Sequence, residues 1–163
     1  MELSAYKRCT NCDGEVTGDS DFCPHCGQIT SEAISVFCAR HPTAVAVAVC
    51  IICRQLVCRA CALQKRGRWF CRDHAAVRVE QDWALVFESP DINDAELVKS
   101  ILDSAGFHVV VRNFGPNTAV WEGGGDSLFS RQALNRLAKV FVPIPEYVEA
   151  ERSCREWKDA GNV

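Results

Sequence analysis

Twelve cysteines and histidines fall into six pairs, each with two intervening residues: Cys9–Cys12, Cys23–Cys26, Cys38–His41, Cys50–Cys53, Cys58–Cys61 and Cys71–His74. Two side chains at this spacing sit on one tight turn and face a single ion, while the backbone N–H groups of the turn point at the sulfurs and stabilise thiolate charge. Four such ligands close a tetrahedral zinc site, so six pairs predict three complete structural Zn²⁺ sites with no ligand left over. Ten of the eleven cysteines lie in the first 71 residues. A disulfide framework is the competing account of that density. It cannot employ His41 and His74, and the opening residues Met1–Arg8 contain no apolar segment of the kind an export signal needs. A reducing, cytoplasmic setting is therefore expected. Iron–sulfur clusters usually take cysteine throughout, which the two histidine-ended pairs contradict. The longest apolar run, Ala44 to Ile52, is far short of the roughly 20 residues of a spanning helix.

The first module covers residues 1–30. Its pattern, Cys9-Thr-Asn-Cys12 followed by Phe22-Cys23-Pro24-His25-Cys26-Gly27, resembles the short zinc ribbon at the N-termini of many prokaryotic proteins. Gly27 follows the last ligand, where a positive φ lets the chain turn away. The segment is too short to build an apolar core, so the metal must supply its folding energy. His25 lies inside the knuckle and is expected to point outward, not to ligate. The loop between the knuckles carries Asp13, Glu15, Asp19 and Asp21, opposite in sign to a nucleic-acid-binding ribbon.

The second module, residues 36–76, contains four pairs. Spacing leaves two ligand pairings open: sequential (38/41/50/53 with 58/61/71/74) or interleaved. The run C-x-x-H-P, the alternating stretch Ala44–Val49 read as a strand, C-x-x-C, L-V-C-x-x-C and G-x-W-F-C-x-x-H together resemble a B-box zinc finger. That resemblance implies a cross-brace, with Cys38, His41, Cys58 and Cys61 at one site and Cys50, Cys53, Cys71 and His74 at the other. A RING arrangement is the related alternative, but its loops are longer and its histidine is central. With four protein ligands on each ion no position is left for water, so no catalytic metal is expected. No other catalytic constellation is present: the only non-ligand histidines are His25 and His108, and Gly123-Gly124-Gly125 lacks the Lys-Ser/Thr of a phosphate loop.

The third module, residues 82–160, trades cysteine for periodicity. Trp83–Phe87 reads as a buried strand. Asp91 caps a helix over Asn93–Ala105 with Val98, Ile101, Leu102 and Ala105 on its inner face, and Gly106 ends it. Phe107–Arg112 is a second strand, Asn117–Trp121 a third, and a short helix is expected over Arg131–Leu137. Lys139–Val142 is a further strand, and Tyr147, Ala150, Cys154 and Trp157 mark the inner face of a final helix. Cys154 is expected as a buried free thiol and His108 as a core or edge residue of its strand. The stretch Asp91–Val111, with the later V-F-V-P and acidic helix, is similar to a small bacterial domain family named for signal transduction. That similarity implies a ferredoxin-like α+β sandwich, giving a fold class of small zinc-stabilised modules followed by an α+β domain.

Charge sorts by module. Residues 1–32 carry a net −4, residues 33–80 a net +6 and residues 81–163 a net −5. Arg54, Arg59, Lys65, Arg66, Arg68 and Arg72 concentrate the positive charge. They form a docking surface for an acidic partner, offset the thiolate sites, or dock intramolecularly against the acidic third module. The negative total disfavours generic nucleic-acid binding. The expected function is a non-enzymatic, prokaryotic adapter or regulatory subunit that binds another protein, with self-association a feature the B-box resemblance implies. A small-metabolite sensor acting through the third module and a ubiquitin-ligase-like accessory module are the alternatives.

Overall fold

A computed structural model of the chain describes residues 6–31, 35–112 and 137–160. It divides into two compact units, Met1–Ala76 and Val77–Val163.

Unit 1 contains both cysteine-rich segments and little regular structure. Strands β1 (Tyr6–Arg8) and β2 (Glu15–Thr17) pair antiparallel around the first knuckle. β3 (Ala48–Val49) pairs with β4 (Leu56–Val57), and β5 (Leu63–Lys65) with β6 (Arg68–Phe70). The β5–β6 hairpin turns through Arg66 and Gly67, both at positive φ (49° and 75°), the backbone signature of a type I′ turn. The strand expected over Ala44–Val49 is only partly formed. Val45 makes a single bridge to Phe37, and regular pairing covers only Ala48–Val49. The alternation survives nonetheless, with Ala46 and Ala48 buried and Val45 exposed. Pairing stops early because the Ala44 and Ala46 backbone serves the neighbouring loop: the Cys38 N–H donates to the Ala44 carbonyl, and the Ala46 N–H to that of Val36. Among the described residues, the core mixes cysteine sulfur with aliphatic and aromatic side chains in equal number. Cys23, Cys26 and Cys50 are fully buried, beside Ile51, Ile52, Val57 and Phe70.

Unit 2 is a mixed α+β unit. Its four-stranded sheet runs in the order β7 (Val79–Glu80), β8 (Trp83–Ser89), β10 (Ala138–Pro143), β9 (Val110–Arg112), every neighbour antiparallel. Helices α1 (Ile92–Ser104) and α2 (Tyr147–Asp159) pack on the sheet and on each other. β10 thus lies between β8 and β9, the two strands joined through α1. Its register with β8 shifts between Val140 and Phe141, where the pairing passes from Phe87 to Leu85 and leaves Val86 as the extra residue of a bulge in β8. Across the sheet, the Arg112 guanidinium lies 4.9 Å from the Phe141 ring centroid and reaches Glu80 of β7 at 2.7 Å.

α1 starts where expected: the Asn93 N–H donates to the Asp91 carboxylate at 2.8 Å, and Gly106 at φ 89° turns the chain out. Its inner face differs by one turn. Ala95, Val98 and Leu102 are buried while Ala105 is exposed, because the helix ends at Ser104 and Ala105 is its C-cap. The second expected strand is also shorter, Val110–Arg112. Instead of pairing in the sheet, the His108 backbone N–H donates to the Glu146 carboxylate at 2.8 Å, and its ring nitrogen meets the same carboxylate at 2.7 Å. His108 is thus an exposed residue ahead of the strand, contrary to its expected place within it. α2 buries Tyr147, Ala150 and Cys154 as read, with Trp157 half-buried. β7 has no counterpart in the sequence reading. The expected strand over Asn117–Trp121 and the helix over Arg131–Leu137, except Leu137 itself, lie outside the described residues. Among the described residues no helix is long and apolar enough to cross a membrane.

Candidate metal centres

Each ligand pair sits on a turn closed by its own backbone. The Asp13 N–H donates to the Cys9 carbonyl, Gly27 to Cys23, Arg54 to Cys50 and Ala62 to Cys58, all at 2.8–2.9 Å; His41 and His74 donate back to Cys38 and Cys71 at 3.2 Å. These turns aim two side chains the same way and leave N–H groups facing sulfur, as where Asn11 N–H approaches Cys9 Sγ at 3.4 Å.

The turns assemble into three groups of four: Cys9, Cys12, Cys23 and Cys26; Cys38, His41, Cys58 and Cys61; Cys50, Cys53, Cys71 and His74. The ligand atoms in each lie within 4.8 Å of one another. All twelve residues are therefore gathered, and the second and third groups interleave along the chain. A tetrahedral ion with Zn–S of about 2.3 Å and Zn–N of about 2.0 Å holds two sulfurs about 3.8 Å apart, and a sulfur and a nitrogen about 3.5 Å apart. The Cys9–Cys26 and Cys12–Cys23 sulfur pairs are 3.6 Å apart, and Cys53–Cys71 is 3.8 Å. His41 turns Nδ1 to Cys38, Cys58 and Cys61 at 3.8, 3.5 and 3.3 Å. His74 places Nδ1 3.1 Å from Cys71 Sγ. These separations fit four donors around one small ion. They are also far above the roughly 2.05 Å of a disulfide, and all eleven cysteines are free. Each group could hold a metal ion.

The thiols in each group are driven apart in acidity. Burial raises Cys9 and Cys38, but N–H groups aimed at their sulfurs outweigh it and bring them to about 7 and about 6. A hydrogen bond from Cys53, together with backbone donors, outweighs burial at Cys50 and takes it to about 4. Their neighbours move the other way: burial pushes Cys23 up to about 12 and raises Cys61, and the same Cys50–Cys53 hydrogen bond raises Cys53. Each group therefore contains one sulfur that most readily offers a metal the thiolate form it binds.

No family model, no curated protein and no solved structure matches this chain.

The remaining singled-out residues have other partners. The His25 ring lies over Gly14, where an added Cβ would come within 2.9 Å of its Cδ2, and His25 belongs to none of the three groups. Cys154 is buried, and burial raises its thiol. Of the six clustered basic residues, three reach backbone carbonyls: Arg72 donates twice to Ala60 (3.1 and 2.8 Å), Arg54 to Pro24 (3.4 Å), and Lys65 to Ala75. Arg54 also lies 5.8 Å from the Phe22 ring centroid. These contacts favour a packing role for those three. Sequence reasoning did not find Trp69, Gln28 and Val49. Trp69 N–H donates to the Cys26 carbonyl and Val49 N–H to that of Gly27, both at 2.8 Å, and Trp69 Nε1–H reaches Gln28 Oε1 at 3.3 Å. Trp69 falls in the G-x-W-F-C-x-x-H run and Val49 in the Ala44–Val49 stretch, but neither pattern shows that they join two knuckles distant in sequence.

Proposed function

We propose that the chain is a non-enzymatic zinc-binding adapter whose unit 1 combines a ribbon with a B-box-like cross-brace and presents a rigid surface to another protein. The observation that carries this reading is the interleaving of Cys38/His41/Cys58/Cys61 with Cys50/Cys53/Cys71/His74. It is the pairing a B-box requires and a sequential arrangement lacks. Four protein donors at every group leave no coordination position for a reacting water, which favours structural over catalytic metal. Zinc suits the donor set: ten thiolates and two imidazoles, at tetrahedral separations. The bridged pair Phe37–Val45 leaves two large apolar side chains at the surface of unit 1, 49% and 55% exposed. Unit 1 also carries an exposed Arg40–Asp73 ion pair.

For unit 2, insertion of β10 between β8 and β9 is the split β-α-β arrangement of ferredoxin-like sheets. The outer position next to β8 is taken by β7, which precedes β8 in the chain. We read unit 2 as the regulatory half of a cytoplasmic protein.

Native mass spectrometry of the chain, purified without reductant, tests the metal reading. It should carry three zinc ions. Two or fewer, or masses two hydrogens lighter per bridged pair, would overturn it. Affinity purification from the native host tests the adapter reading; recovery of the chain alone and monomeric would count against a protein partner.

A further inference from the structure

We propose that the Cys9/Cys12/Cys23/Cys26 site and the Cys50/Cys53/Cys71/His74 site are coupled through a backbone seam at Gly27, so that unit 1 takes up and releases those two ions together. The inference rests on the reading that both groups hold metal, and goes beyond it by making the two sites interdependent.

The seam is built from residues adjoining the ligands. Gly27, directly after Cys26, gives its carbonyl to the N–H of Val49, directly before Cys50. Cys26 itself gives its carbonyl to Trp69 N–H, and the Trp69 carbonyl in turn accepts from Ile51, inside the Cys50–Cys53 turn. Trp69 stands two residues before Cys71. Gln28 bridges to Ala48 and receives the Trp69 indole N–H. One residue of β6 is thus shared by the second ribbon knuckle and the Cys50 knuckle. The contact is close because residue 27 has no side chain. A Cβ there would lie 2.0 Å from the Val49 carbonyl oxygen, and Gly27 holds φ at 83°. An ion that fixes Cys23 and Cys26 therefore fixes the acceptors on which Val49 and Trp69 are hung. An ion at Cys50, Cys53, Cys71 and His74 does the reverse, because linkage between two binding sites is reciprocal. These bonds reach the loops that carry Cys50, Cys53 and Cys71, so the Cys38/His41/Cys58/Cys61 site should respond less.

Cadmium-113 NMR on the full chain tests this. One signal from the four-sulfur site and two from three-sulfur, one-nitrogen sites are expected, the latter distinguished by couplings to the His41 and His74 rings. On titration with a chelator, the four-sulfur and His74-coupled signals should fall together, and the His41-coupled signal at a different chelator concentration. Gly27→Ala retains all twelve ligands, yet should lower cadmium affinity at the His74 site at least about tenfold, within the range of ordinary coupling. Gly106→Ala is the control: it has a similar positive φ of 89° but lies in unit 2 with nothing within 4 Å of the added Cβ, and should leave that affinity within about twofold. Should Gly27→Ala not fold, Cys12→Ser with the wild-type titration gives the same readout, as a weakened His74-coupled signal. Separate loss of the two wild-type signals, or an unchanged His74 site in Gly27→Ala or Cys12→Ser, overturns the coupling and leaves three metal sites standing. Failure to see three cadmium signals at all would instead strike the metal reading itself.

Discussion

Three residues that directly follow the second ligand of a knuckle share one backbone conformation: Asp13 at φ 58°, Gly27 at 83° and Arg54 at 61°. A sequence announces this only where it has glycine, so Gly27 could be read as a turn while Asp13 and Arg54 could not. Even for Gly27 the sequence could not say that the space beside it belongs to the Val49 carbonyl. Arg54 occupies the left-handed region at a cost of about 1–2 kcal/mol and offsets it by lying against Phe22 and reaching the Pro24 carbonyl. An exposed cation–ring contact contributes about 0.5–1 kcal/mol. Arg54→Ala keeps the backbone cost and loses those contacts, so it should lower the thermal midpoint of the metal-loaded chain. Arg54→Gly loses the same contacts but removes the cost, and should melt above Arg54→Ala. The reverse order in a thermal scan at saturating zinc would mean that the left-handed backbone at residue 54 carries no such cost. The twelve ligands were legible because metal chemistry restricts both residue type and spacing. Trp69 and Gln28 were not, because hydrogen bonds between distant backbone segments leave no periodic trace.

Among the elements, helices and central strands were easier to read than short edge pairings. α1 carries its own start and stop signals in Asp91 and Gly106, and its bounds, Ile92–Ser104, fall within one residue of the reading. The error lay in which turn of its apolar stripe meets the sheet, and that depends on where the helix ends. The two-residue strands β3, β4 and β7 are too short for alternation to register, and they exist through their partners. At the cap, Asp91→Ala should destabilise unit 2 by about 1 kcal/mol, read from the denaturant midpoint with unchanged slope. Ser89 adds a link here, its hydroxyl meeting the Asp94 carboxylate at 2.7 Å and accepting from the Asp91 N–H at 3.1 Å. On the buried face, Leu102→Ala should cost more, about 2–5 kcal/mol, since Leu102 is fully enclosed. Equal costs for the two variants would mean that the α1 inner face is misassigned.

At the scale of the molecule, the two units are held by different physics. Half of the described core residues of unit 1 are cysteine ligands, and its short strands cannot order a chain of this length without metal. Unit 2 has a continuous apolar core in Val98, Leu102, Val140, Phe141 and Val142. A chelator with reductant should therefore unfold unit 1 and spare unit 2: limited proteolysis ought to digest unit 1 in the chelated chain with cleavage up to about Val77, whereas unit 1 of the metal-loaded chain resists. Acid should act in the same direction. Ligand thiols and imidazoles must lose their protons to bind, so affinity is full at neutral and higher pH and falls as pH drops. Metal retained undiminished at pH 4 would contradict that sign. The order of elements has a further result for a chain leaving a ribosome. Every ligand of unit 1 has emerged once His74 is out, so that half can close while synthesis continues. Unit 2 cannot, because its second-innermost strand arrives late: Phe87 must wait for Val140, and Val111 waits for the same residue. A nascent chain stalled before that point would have one finished half and one β-strand scaffold lacking its keystone, exposed to proteases and chaperones alike.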